Sequence, residues 1–148
     1  MVKIISGGQT GVERAALDVA LERDIPCGGW CPKGRKAEDG VIPAKYPLRE
    51  TESVDYAERT RLNVLDSDGT IILHTGKLTG GTALTAQLAG THDRPLLVVD
   101  LDRSPAPDEV IRWISDNRVM ILNVAGPRET DHHGIHDRAA GFLLRVLT

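Results

Sequence analysis

Three glycine-bearing turns carry most of the chemistry that residue type and spacing suggest: Ser6-Gly7-Gly8-Gln9-Thr10-Gly11, Thr79-Gly80-Gly81-Thr82 and Ala125-Gly126-Pro127-Arg128-Glu129. Each follows an apolar run. If those runs are parallel strands, all three turns open at one edge of one sheet. That edge would present bare backbone N–H groups, helix N-termini and an arginine, a surface suited to a phosphate-bearing small molecule. In the first turn, Gly7, Gly8 and Gly11 would relieve the steric limits of a sharp strand-to-helix connection. The helix that follows offers free N–H groups and about half a positive charge. The second turn adds hydroxyl donors and another helix N-terminus. In the third, Arg128 can grip a phosphate or carboxylate with two N–H groups at once. Against this, each turn also reads as a tight turn without a ligand, and Arg128 could simply pair with Glu129 or Asp131.

Two familiar nucleotide motifs are absent. A P-loop needs Lys and Ser/Thr after its last glycine, and here Gly11 is followed by Val12 and Glu13. A dinucleotide fingerprint needs G-x-G-x-x-G and an acidic residue about twenty positions on. The second strand instead ends in Cys27-Gly28-Gly29-Trp30-Cys31-Pro32. Motor-type hydrolysis and hydride transfer are therefore poorly supported.

Lesser candidates have plain readings beside the functional ones. Lys33-Gly34-Arg35-Lys36 is a basic stretch that could be a phosphate lid or a solvated loop. Arg59 lies four residues after Asp55, which would also make an ordinary helix-surface pair. Cys27 and Cys31 are spaced loosely for a zinc half-site and lack a second pair, so buried reduced thiols are the better reading. His132, His133 and His136 resemble metal ligands, but the polar turn that holds them argues against a metal. The carboxylates are scattered, with no pair placed for acid–base work.

The elements that must position these residues follow from periodicity. Val2 to Ile5 reads as a strand buried on both faces. Thr10-Gly11-Val12-Glu13 matches a capping box, with Thr10 as N-cap and Glu13 reaching back. Val12, Ala16, Val19 and Ala20 then form one helical stripe, ended by Pro26. Cys27 to Cys31 is a weak second strand. Pro32 to Glu52 shows no period, and a connection of about twenty structureless residues suggests a lid or binding loop. Ser53 can cap a helix to about Leu65. Strands follow at 69–74, 95–99 and 119–124, separated by a small-residue helix over 82–89 closed by Gly90, and by a helix after Pro105 and Pro107. The last helix carries Ile135, Ala139, Phe142, Leu143 and Val146 on one stripe. Strand–helix alternation through five continuous apolar strands implies a parallel sheet covered on both faces.

Bulk properties narrow the function classes. At 148 residues and 41% hydrophobic, the chain reads as one domain able to bury roughly 70% of its unfolded surface. A net charge of −3 gives no global attraction to nucleic acid or acidic membranes. Aromatics at 3% leave few platforms for stacking single-stranded nucleic acid. No apolar run approaches the ~18 residues of a membrane span. The opening Met1-Val2-Lys3-Ile4-Ile5-Ser6 leads straight into a strand rather than a signal peptide, so reduced cysteines in the cytoplasm are expected.

Several segments together resemble one family. They are 5–18, beginning Ile5-Ser6-Gly7-Gly8-Gln9-Thr10-Gly11; Gly28-Gly29-Trp30-Cys31-Pro32-Lys33-Gly34-Arg35; Ala37-Glu38-Asp39-Gly40; Asp66-Ser67-Asp68-Gly69-Thr70; and 122–129, ending Gly126-Pro127-Arg128-Glu129. On these the chain resembles the molybdenum-cofactor carrier proteins related to YpsA. They stand in a Rossmann-like superfamily with the nucleotide-processing LOG proteins. The resemblance implies a cytoplasmic, homo-oligomeric protein (dimer or tetramer) that stores and transfers molybdenum cofactor, a phosphate-bearing molybdopterin. LOG enzymes carry an arginine ahead of a P-G-G-x-G-T-x-x-E turn. Arg59 and Gly81-Thr82 match that pattern, while the glutamate position falls on Thr85, and the turn is several residues longer. Phosphate gripping would be kept and glycosidic cleavage lost.

The expectation is thus a Rossmann-like three-layer α/β domain over residues 1–148. Its five-stranded, mostly parallel sheet would run in the order 3-2-1-4-5. The cofactor phosphate would meet Gly7, Gly8, Gln9, Thr10 and Gly11, and also Gly80, Gly81 and Thr82, helped by Arg59 or Arg128. Lys33 and Arg35 would close over the pterin or approach its anionic metal end. The partners implied are a small anionic pterin and acceptor molybdoenzymes, with no nucleic acid, membrane, metal site or catalytic residue. A sensor of a nucleotide-derived ligand, or a ribohydrolase or transferase acting on one, is the alternative.

Overall fold

The computed structural model describes residues 2–147. In chain order the elements are β1 (Lys3–Ile5), α1 (Val12–Glu22), β2 (Cys27–Gly28), β3 (Trp30–Cys31), β4 (Lys36–Ala37), β5 (Gly40–Val41) and β6 (Arg49–Glu50). There follow α2 (Tyr56–Asp66), β7 (Gly69–His74), α3 (Gly80–Thr91), β8 (Leu96–Asp100), α4 (Pro107–Asp116), β9 (Ile121–Ala125) and α5 (Ile135–Val146). A 3-10 turn at Leu101–Arg103 links β8 to α4.

Five strands form one sheet, β2-β1-β9-β7-β8, and every pairing is parallel. Ile71 and Leu73 of β7, Val99 of β8, Ile4 of β1 and Leu122 and Val124 of β9 share one apolar core with α1, α4 and α5. The alternate residues face α2 and α3. That second interface is more polar: Thr60 and Asn63 of α2, Thr85 of α3, and Thr70 and Asn123 of the sheet are all buried. The Asn123 side-chain amide donates to Thr70 Oγ1 at 3.2 Å, which keeps the pair satisfied across β7 and β9.

The strand order departs from 3-2-1-4-5 when strands are counted along the chain: the last strand, β9, sits in the middle, between β1 and β7. Apolar runs tell which segments are strands but not which are neighbours. β9 is buried at four successive positions, while β8 is half exposed and takes the edge. If β9 is counted first, the observed order becomes 3-2-1-4-5. The expected sheet is present with its first strand supplied by the end of the chain. On either side of β9 the chain winds outward in opposite senses, so the switch point lies between the carboxyl ends of β9 and β7.

Local expectations needed correction in four places. The weak second strand splits: Cys27–Gly28 joins the main sheet, while Trp30–Cys31 pairs with Arg49–Glu50. The stretch 32–52 is not structureless. It holds an antiparallel β4–β5 pair and packs Ala37, Ile42 and Tyr46 against Leu17 and Cys31 in a small core of its own. This layer covers the outer side of α1, which is why that helix is buried well beyond its single expected stripe. Asp55, not Ser53, caps α2, accepting from the Ala57 N–H. Helix α3 runs through Gly90 to Thr91.

Candidate functional site

The cleft at the switch point has a volume of about 320 Å³, at the small end of the range for ligand pockets. Gln9, Glu13, Tyr56, Arg59, Arg128 and Asp131 line it together with Thr79 to Thr82 and Gly126-Pro127. Three elements therefore converge as the sheet topology requires: the turn after β1, the loop after β7, and the turn after β9. Helix α2 brings Tyr56 and Arg59 into the same lining.

The second glycine turn is the open one. Helix α3 begins at Gly80 with Thr79 as N-cap. Thr79 makes no side-chain cap, and no acidic residue stands in the first turn. Its carbonyl accepts from Thr82 and Ala83; Gly80 and Gly81 line the cleft, and among the described residues no side-chain acceptor meets their N–H groups. Both glycines are exposed. Free N–H groups at a helix start carry a partial positive charge.

The first turn is arranged differently from expectation. The Gly8 N–H donates to Ser6 Oγ (3.4 Å), Gln9 N–H to Glu13 Oε1 (3.3 Å) and Thr10 N–H to Gln9 Oε1 (3.0 Å). The Val12 N–H donates to the Pro127 carbonyl at 3.2 Å. Of the donors expected to hold a phosphate, the N–H groups of Gly8, Gln9 and Thr10 are taken by the protein's own oxygens. The capping box does not form: the N-cap is Gly11, with φ 79°. A Cβ there would collide with the Pro127 carbonyl, so glycine lets the first and third turns touch. Thr10 Oγ1 instead donates to Glu38 and accepts from the Glu129 N–H.

Glu13 is the residue that sequence reading placed wrongly. It is only 6% exposed and pairs with Arg59, itself 7% exposed, at 2.5 Å from Oε1 to Nη1. The i, i+3 spacing from Thr10 imitates a cap, and nothing local announces a partner 46 residues away. Arg59 thus does not pair with Asp55. Its Nε is buried with no hydrogen-bond partner among the described residues. Gly7 makes room for this pair, since a Cβ there would overlap the Arg59 guanidinium. Tyr56, also missed, sets its ring 5.6 Å from the Arg59 guanidinium, with Lys36 Nζ at 4.6 Å.

Arg128 lines the cleft, yet it takes its plain reading as well. Nε and Nη2 donate to Asp131 at 3.2 and 3.0 Å, and Glu38 lies 3.8 Å away. The Arg128 hydrogen bond holds the Asp131 carboxyl below its ordinary pKa. Burial pushes Glu38 up, but hydrogen bonds from Thr10 and Thr130 and the charge of Arg128 outweigh it. Both carboxylates are therefore ionised at neutral pH. The cleft lining carries two cations, Arg59 and Arg128, and two anions, Glu13 and Asp131.

Lys33 and Arg35 do not line the cleft. Arg35 is fully engaged within its own loop, donating to the carbonyls of Ile42, Pro43, Tyr46 and Leu48. Bidentate pairing of Arg14 with Asp39 (2.8 and 3.1 Å) and a hydrogen bond from Tyr46 to Asp18 tie the same loop to α1. The loop that resembled a lid is a packed layer. His136 bonds Asp18 at 2.8 Å and Asp137 at 3.1 Å. Among the described residues no group of three or more His, Cys, Asp and Glu side chains is placed to hold a metal ion. Thr85 is buried behind the cleft with its hydroxyl donating to the Gly81 carbonyl.

A parallel sheet flanked by helices, with a cleft at its switch point, defines a Rossmann-like α/β protein. Residues 4–147 match the family described as circularly permutated YpsA SLOG, and the chain belongs to that family. A last strand, β9, at the centre of the sheet is consistent with the permutation in the family's name. The chain is also similar to a crystal structure from Syntrophus aciditrophicus whose protein is named "Putative molybdenum carrier protein". The two share 45% identity with a TM-score of 0.95, over 100% of this chain and 96% of that one. No curated protein matches significantly. Among the described residues no helix is long and apolar enough to cross a membrane.

Proposed function

We propose that this protein binds, shields and hands on molybdenum cofactor without chemically changing it. The observation that carries this reading is the uncapped start of α3 at the switch-point cleft, in a chain 45% identical to the protein named "Putative molybdenum carrier protein". The cofactor's phosphate would meet the Gly80 and Gly81 N–H groups and the Thr82 hydroxyl, with Arg59 beneath. The pterin would extend past Tyr56 and Gln9 toward Arg128. Cys27 and Cys31 are free thiols, which suits work in the reducing cytoplasm beside acceptor molybdoenzymes.

The second reading is an enzyme or sensor acting on a nucleotide-derived ligand. Glu13 favours it, because a buried carboxylate lines the cleft even though Thr85 stands where related enzymes carry glutamate. Against it, Glu13 is held by Arg59 and the Gln9 N–H. Incubation with nucleoside monophosphates separates the two readings. The carrier releases no free base, and wild type and Thr85→Ala both bind molybdopterin saturably. Base release that disappears in Glu13→Gln would establish the enzyme instead.

A further inference from the structure

The Gln9 side chain is buried, fixed at one end and open at the other. It is 5% exposed and lines the cleft with Glu13, Tyr56 and Arg59. Its Oε1 accepts from the Thr10 N–H at 3.0 Å and from the Glu38 N–H at 2.9 Å. Both partners are donors, so the oxygen must stand at that end of the amide and the nitrogen at the other. Glu38 is itself held by the Thr10 and Thr130 hydroxyls, which makes the anchor rigid. Among the described residues, the enclosed side-chain nitrogens and oxygens without a partner are Arg59 Nε and His74 Nδ1. Gln9 Nε2 meets no acceptor among those residues either. It is therefore not enclosed, and the cleft is what it opens on. The charged groups of the lining cancel, with Arg59 paired to Glu13 and Arg128 to Asp131. Gln9 thus offers a neutral donor in a neutral lining.

We infer that Gln9 reads the ligand's ring. Its amide nitrogen donates to a lactam carbonyl of a flat nitrogen heterocycle, so the cleft admits an oxo ring and turns away the amino ring of the same shape. A neutral acceptor is the complement of a neutral donor where the surrounding charges cancel, and a ring carbonyl is such an acceptor. Gln9 cannot turn its amide over to suit another ligand, because its NH2 would then face two backbone N–H groups. An exocyclic amino group in place of the carbonyl would set donor against donor and leave Nε2 without a partner. That loss corresponds to roughly tenfold to a hundredfold in affinity. Tyr56 lines the same cleft and supplies an aromatic neighbour for a flat ring. The choice of a pterin rests on the proposed carrier reading. An oxopurine shares the chemistry, and the test separates the two.

The test titrates two pairs of probes. The first is 6-hydroxymethylpterin against 2,4-diamino-6-hydroxymethylpteridine, the same ring with an amino group in place of the carbonyl. The second is GMP against AMP, an oxopurine against an aminopurine. Wild type binds the oxo member of a pair at least about tenfold more tightly, and the side-chain amide resonances of Gln9 shift as it binds. Gln9→Glu reverses the order, because one carboxylate oxygen keeps both backbone donors while the other is an acceptor open to the cleft. Gln9→Met loses the preference; if it fails to fold, Gln9→Glu decides. Wild type with no oxo preference in either pair overturns the inference. So does a folded variant that keeps the wild-type preference, or binding that leaves the Gln9 amide resonances unmoved. Preference for GMP without binding of 6-hydroxymethylpterin would keep this inference and lose the carrier. Binding of molybdenum cofactor with no preference in either pair would do the reverse.

Discussion

Replacing Gly81 by Asp should raise stability and abolish anion binding at once. Gly81 is the second residue of α3, it is exposed, and a Cβ there meets nothing within 4 Å. The added carboxylate sits in the first turn of a helix that has no acidic residue there. Interaction with the helix dipole contributes about 0.3–1 kcal/mol. Removing a helical glycine adds about 0.4–1 kcal/mol by restricting the unfolded chain. Together they should lift the melting temperature by roughly 3–6 °C for a chain of this size. The same carboxylate lies about 5 Å from a phosphate on the Gly80 and Gly81 N–H groups. At an effective dielectric near 20 the repulsion is about 3 kcal/mol per pair of unit charges, more than about a hundredfold in Kd. Gly81→Asn has nearly the same shape without the charge and should lose less than about tenfold. Calorimetric melting and phosphate titration of the three proteins read both effects. Unchanged phosphate binding by Gly81→Asp, with the fold intact, would refute the placement of the anion at α3.

Gly7→Ala should destabilise by about 1–3 kcal/mol in chemical denaturation, because its methyl overlaps the Arg59 guanidinium and the core must shift. Arg59→Met leaves the Glu13 carboxylate buried and unpaired and should cost about 3–5 kcal/mol, while adding Glu13→Leu should recover most of that loss; a double-mutant cycle measures it. Arg35→Ala should cost about 2–4 kcal/mol, since the Ile42 and Leu48 carbonyls lose their donor while those of Pro43 and Tyr46 keep a backbone N–H. It should leave phosphate affinity unchanged, since Arg35 is away from the cleft. For His136, burial pulls the pKa down but hydrogen bonds and charge from Asp18 and Asp137 outweigh it, so its folded value lies above 6.5. Its contribution is fully present below 6.5 and is lost as pH rises through the raised value. Thermal melts of wild type and His136→Gln should therefore converge as pH rises through that raised value.

The architecture was legible because its signals are local. Continuous apolar runs give buried strands, and Gly7 to Gly11 and Gly80-Gly81 mark strand-to-helix turns whatever their neighbours. The neighbour relations were not legible. β9 and β1 are both short apolar runs, and only the assembled sheet decides that β9 lies between β1 and β7. The site divides along the same line. Gln9, Arg59, Gly80, Gly81, Thr82 and Arg128 do meet at one cleft, because each ends a strand or leads a helix at one edge. The state of their donors depends on contacts across long stretches of chain, such as Glu13 with Arg59 and Thr10 with Glu38. Lys33 and Arg35 misled for a related reason. Two basic residues in a long loop look free until Ala37, Ile42 and Tyr46 are seen packing that loop onto α1.

The most direct test of the central claim is titration of wild type and Gly81→Asp with molybdenum cofactor under anaerobic conditions. Bound molybdenum is read by elemental analysis and bound pterin by fluorescence after oxidation. The expected result is saturable binding by wild type, with molybdenum and pterin in equal amounts, and its loss in the folded Gly81→Asp protein. Absence of cofactor binding by wild type, or undiminished binding by Gly81→Asp, would contradict a carrier that holds its cargo by the phosphate at the start of α3.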